Sequence, residues 1–227
     1  MHDICTLSQE APKLATRGER VGSPDELTGV QALERKPPGL PLAPGKVERR
    51  ECESMRHGTR TFIITRDVVS GQILKTSGGP TRTQADFLAH IEALVATDPE
   101  ATRWPVVVDN LDTHRSASLG YFVATLSNLD IDLAKQGKHG IWKHRQSRAA
   151  FLRDPSHRSV VHDTPKHASW LNQIDICLRI LVRKLLKRGS CRSVEDLQHK
   201  VLAFIAYSNR TMAKPFQWTY QGQALTV

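Results

Sequence analysis

The run Trp104-Pro105-Val106-Val107-Val108-Asp109-Asn110 restricts the fold of this chain more than any other stretch. Apolar, β-branched residues without alternation read as a strand buried on both faces, which is the habit of sheets covered by helices. Open α/β sheets place their chemistry beyond the carboxyl ends of such strands, so Asp109 is a candidate site residue. Read from the residues alone, Asp109 serves equally well as the cap of the following turn.

The neighbouring segments supply the rest of an α/β domain. Residues 61–74 give two strands joined by a tight turn at Ser70-Gly71, and Ser159-Val160-Val161 a last short one. Thr83 caps a helix reaching Ala96, with Phe87, Leu88, Ile91, Leu94 and Val95 on its buried face. Residues 116–126 form another. Ser193, with Glu195 and Asp196, begins a helix whose Val194, Leu197, Val201, Phe204 and Ile205 share a face.

Residues 162–190 carry the chemistry of the second half. Pro165-Lys166-His167 closes a loop, and from Ala168 a helical pattern sets Leu171, Ile174, Leu178, Leu181 and Leu185 on one face, with Gly189 just past its end. Asn172 and Asp175 stand one turn apart near its start. Arg179, Arg183, Lys184, Lys187 and Arg188 follow with no acidic residue among them. A carboxylate beside a cationic surface suits a metal ion working on a nucleic-acid phosphate.

Net charge of +9 and a pI near 9.7 favour a polyanionic partner, nucleic acid before membrane surface. No apolar run approaches the ~20 residues that span a bilayer, and the first residues lack the plan of a secretory signal. Cys5, Cys52, Cys177 and Cys191 show no zinc spacing. A reduced, cytoplasmic protein is expected.

Other segments are less regular. Residues 1–20 read as a weakly structured remnant. In 21–34, Gly22, Ser23 and Pro24 offer little to a ladder, so a central strand is disfavoured and Asp25-Glu26 reads as a turn. Residues 35–50, rich in Pro, Lys and Arg, form an extended connector. Residues 129–158 hold seven Lys/Arg, among them Lys138, Lys143, Arg145 and Arg148, against three Asp. This insertion, with Trp142 inside it, is expected to contact DNA. Trp170 and Trp218 are expected in the core.

The run 164–173, the helix after it and residues 207–218 resemble the C-terminal half of bacterial insertion-sequence transposases. More narrowly they resemble the mariner-related DDE superfamily endonucleases. The resemblance implies an α/β fold, a ribonuclease-H-like mixed sheet flanked by helices over 21–227, and the element order read above suits it. It makes 21–34 a buried strand delivering a first carboxylate, Asp25. Its Asp-Asn-x-x-x-His pattern matches Asp109, Asn110 and His114, and its third acid falls on Asp175. Relatives with the Trp-Leu-Asn-Gln motif usually carry Glu there, whereas the mariner branch uses Asp.

By resemblance, then, Asp25, Asp109 and Asp175 are catalytic and metal-holding. Asn110, His114 and Asn172 are supporting residues, and His114 reads equally as a packing histidine. The cofactor is Mg²⁺ or Mn²⁺, as two ions about 3.5–4 Å apart, because hard cations take carboxylate oxygen. The partner is double-stranded DNA, held by Lys138, Lys143, Arg145, Arg179, Arg183, Lys184, Lys187 and Arg188; a homodimer and a nucleoid-associated location are compatible. The activity implied is DNA strand cleavage and transfer at transposon ends. An alternative is a catalytically decayed descendant that binds DNA without cutting, and a weaker one is action on RNA.

Overall fold

The computed structural model describes residues 2–36, 43–47, 53–130, 138 and 140–220. Most of the connector at 35–50, Cys52, and residues 131–137 and 139 of the basic insertion lie outside them. In chain order the elements are α1 (His2–Ala15), β1 (Gly22–Arg35), β2 (Ser54–Asp67), β3 (Ile73–Gly79), α2 (Gln84–Val95) and β4 (Trp104–Val108). They continue with α3 (Ala117–Leu126), α4 (Arg145–Leu152), β5 (Ser159–Asp163), α5 (Ile174–Leu181) and α6 (Val194–Thr211).

The strands form one mixed five-stranded sheet in the order β3-β2-β1-β4-β5. β1 to β3 pair antiparallel, while β4 runs parallel to both β1 and β5. Strand side chains alternate between faces, and the core divides accordingly. Ile63, Trp104, Val106 and Val108 pack with Phe87, Ile91, Leu94 and Val123 of α2 and α3 on one face. Phe62 and Ile64 pack with Ile174, Leu178, Leu197 and Val201 of α5 and α6 on the other. The fully buried β4 is thus covered as its composition requires.

Local signals explain most elements. Thr83 and Asp86 make a reciprocal capping box at the start of α2, and Ser116 caps α3. Gly71, at φ +75°, supplies the turn between β2 and β3, where a Cβ would collide with the Lys214 carbonyl. Trp142 is fully buried against Gly120, where a Cβ would overlap its ring. It anchors the basic insertion to the core and is not a DNA-facing aromatic.

Four other expectations need correction. Residues 2–15 are helical, not weakly structured: Ile4, Cys5, Leu7 and Ala11 are buried against Val21, Val68, Val107 and Leu171. Residues 168–190 do not form one continuous helix. A short 3-10 turn (Ser169–Leu171) precedes an extended Asn172, α5 begins at Ile174, and a π turn (Val182–Leu186) extends it. Trp170 is 47% exposed and stacks on the half-buried Trp218, so it is not core.

The fourth is β1, which is a central strand despite Pro24. A residue's N–H and C=O leave a strand on the same side, and the Pro24 carbonyl accepts from Asn172 Nδ2 at 2.8 Å instead of from a neighbouring strand. The β1–β4 ladder has a single rung, Gly22 opposite Val106. Pro24 stands where the next rung would fall, and having no N–H it leaves no donor unsatisfied there.

Candidate active site

Three acids far apart in sequence meet where β1 and β4 part. Asp25 is on β1, Asp109 directly follows β4, and Asp175 lies in the first turn of α5. Burial raises the Asp25 carboxyl to about 7, with the negative charges of Asp109, Glu26 and Asp175 adding to it and the Glu26 N–H, donating to Oδ1 at 2.7 Å, opposing it. Burial also raises Asp175, with Arg179 and a hydrogen bond to Asp25 working against it. Each acid therefore lies within electrostatic reach of the others.

Ser23 and Asn172 set this convergence. The Ser23 hydroxyl accepts from the Ile174 N–H at 3.0 Å and donates to Asn172 Oδ1. Asn172 is 1% exposed and holds the Pro24 carbonyl. Two side chains thereby fasten the start of α5 to the strand bearing Asp25, and the small, polar Ser23 is what that fastening needs.

On the opposite face of β1, Glu26 meets His114. A 3-10 turn (Asp112–Arg115) folds back so that His114 Nε2 lies 3.0 Å from Glu26 Oε1. His114 Nδ1 lies 2.9 Å from Asp109 Oδ1 and 3.1 Å from the Asp109 carbonyl, toward which its N–H is directed. Burial disfavours charge on this ring, but the Asp109 and Glu26 contacts outweigh it and raise His114 to about 10. Its ring packs against Phe87 in a tilted arrangement, centroids 4.1 Å apart. Glu26 is invisible as a site residue in the sequence, where it reads as half of a turn; its adjacency to Asp25 is the one available signal.

The remaining expected residues are dispersed. Asn110 is exposed and accepts from Arg145 Nη2 through its carbonyl and Oδ1, at 3.1 and 3.0 Å, so it carries the start of α4 to the rim of the site. Lys138 and Lys143 are exposed, and Arg179, Arg183, Lys184, Lys187 and Arg188 line α5, its π turn and the residues just after.

The sequence pattern of the DDE superfamily endonucleases matches residues 23–198, from the Ser23 fastening through all three acids. The chain belongs to that family. No curated protein matches it. Among solved structures, this DDE superfamily endonuclease is similar to a Mos1 transposase paired-end complex with left transposon end. That match has TM-score 0.58 and 13% identity, covering 95% of this chain and 55% of that one. A Mos1 mariner paired-end complex with Mn has TM-score 0.55 and 12% identity, covering 96% and 56%. The catalytic domain of Mos1 mariner transposase has TM-score 0.51 and 12% identity, covering 90% and 78%. The chain thus spans about half the length of the first of these. The likeness shows the fold: a ribonuclease-H-like sheet flanked by helices.

The residues of this endonuclease site fit a divalent cation. Glu26 Oε2 is a buried oxygen without a hydrogen-bond donor, and Asp109 Oδ1 has only the His114 ring beside it. Glu26 and Asp109 bring carboxylate oxygens to within 4.8 Å of each other, with the His114 ring against both. Two carboxyls raised by crowding and burial, Asp25 and Asp175, mark a place where added positive charge stabilises the fold. The donors are mostly oxygen, which suits Mg²⁺ or Mn²⁺ better than a softer ion.

Proposed function

We propose that this chain is the catalytic domain of a transposase, cutting and joining DNA strands at transposon ends. The observation carrying this reading is the convergence of Asp25, Asp109 and Asp175 where β1 and β4 separate. Asp25, Asp109 and Asp175 would hold two Mg²⁺ or Mn²⁺ ions, which supply an activated water or 3′-hydroxyl and neutralise charge on the phosphate. Ser23 and Asn172 keep the third acid in register with the first. The cations of α5 and its π turn, with Lys138, Lys143 and Arg145 across the site, bind the phosphate backbone. Support from outside the chain comes from the Mos1 structures, one a complex with a transposon end and another a paired-end complex with Mn. Joining two ends suits a homodimer, and DNA as substrate suits a nucleoid-associated location.

Cleavage of an oligonucleotide with Mg²⁺ or Mn²⁺ tests the proposal. Alanine at Asp25, Asp109 or Asp175 is expected to bring nicking to background. Wild type and Asp109→Ala alike at background would leave the alternative, a descendant that binds DNA without cutting. That reading leans on the strand before Asp25 and on the residues around Asp175.

A further inference from the structure

Residue 26 touches the first acid directly and reaches the second through His114, by different atoms. Its backbone N–H donates to Asp25 Oδ1 at 2.7 Å. Its side chain, only 3% exposed and on the opposite face of β1, reaches His114 Nε2 at 3.0 Å. His114, 1% exposed, contacts both the carboxylate and the carbonyl of Asp109. The chain Glu26–His114–Asp109 therefore crosses the gap between β1 and β4 beyond their single rung, Gly22 opposite Val106.

We propose that Glu26 and His114 are a buried brace that fixes the Asp109 carboxylate, making both positioning residues for the reaction; this rests on the metal-dependent cleavage reading above. Both ring nitrogens of His114 already face protein oxygens, Nε2 that of Glu26 and Nδ1 those of Asp109, so His114 orients a ligand instead of being one. Glu26 Oε1 is occupied by His114, and Phe87 packs against the ring, tilted by 36° with centroids 4.1 Å apart. Partners that orient a metal ligand typically change metal affinity about 10- to 100-fold when removed.

The test uses the full chain, with Mn²⁺ titrated in a nicking assay and Mn²⁺ binding followed calorimetrically. Glu26→Ala and His114→Ala are expected to raise the half-saturating Mn²⁺ concentration about 10- to 100-fold. They should lower kcat, leave KM for DNA unchanged, and recover part of the rate at high Mn²⁺. Glu26→Gln keeps an acceptor for His114 and the same volume, so it should shift Mn²⁺ dependence by only a few fold and guards against loss of folding in the alanine variants. A Glu26→Gln variant that behaves like Asp109→Ala, dead at every Mn²⁺ concentration, overturns the brace in favour of direct ligation by Glu26. Alanine variants with unaltered Mn²⁺ dependence overturn it as well. A wild type that neither nicks nor binds Mn²⁺ defeats the cleavage reading itself.

Discussion

At the scale of single residues, histidines separate by their neighbours. His114 lies between carboxylates and is held charged, whereas His90 is fully buried between the hydroxyls of Thr65 and Ser77 at 2.7 and 2.8 Å. Burial, with Lys75 nearby, depresses His90 from 6.5 to about 3. The unfolded chain takes up this proton as pH falls through 6.5, while the folded chain declines it until about 3. His90 therefore contributes stability that is complete above 6.5 and lost on acidification through that window. The loss approaches about 1.4 kcal/mol per pH unit. Urea unfolding at neutral pH and near pH 5 should show it, and His90→Gln should have the shallower pH dependence. Equal slopes for the two proteins would remove His90 as the cause.

At the scale of elements, the basic surface of α5 and its π turn is separable from the site it begins beside. Arg183→Glu with Lys187→Glu is expected to weaken binding of duplex DNA of any sequence and to flatten the plot of log affinity against log salt by about 1 for each phosphate no longer neutralised. An unchanged slope would place the DNA elsewhere. What the sequence discloses about elements follows the range of the forces behind them. α2 is legible because Thr83, Asp86 and a periodic apolar face are all local, and β4 because burial on both faces writes itself as Val-Val-Val. β1 is not, since Ser23 and Pro24 are satisfied by Asn172 some 150 positions away, a partner no window on the sequence contains. α1 escapes notice because Pro12 and its polar residues mask a short buried stripe. The three acids are found by resemblance, and their meeting depends on that same distant fastening; Glu26 is missed because strand alternation turns it away from Asp25.

At the scale of the whole molecule, the first helix belongs to the packing that supports the site. Ile4, Cys5, Leu7 and Ala11 cover Val21 just before β1, Val107 within β4 and Leu171 beside the Asn172 clamp. Deleting residues 2–15 removes several buried apolar side chains at about 1.5–3 kcal/mol each for the larger ones. A fall in Tm on the order of 10 °C should follow, by calorimetry at equal protein concentration. An unshifted Tm would mean the helix is merely laid on. Pro24 bears on a quantity belonging to the whole sheet, the width of its mouth. An imino acid at this point denies the neighbouring strands a further stitch, so the jaws holding Asp25 and Asp109 stay apart through a missing hydrogen. Restoring that hydrogen, with every charge untouched, invites the seam to zip and the mouth to shut.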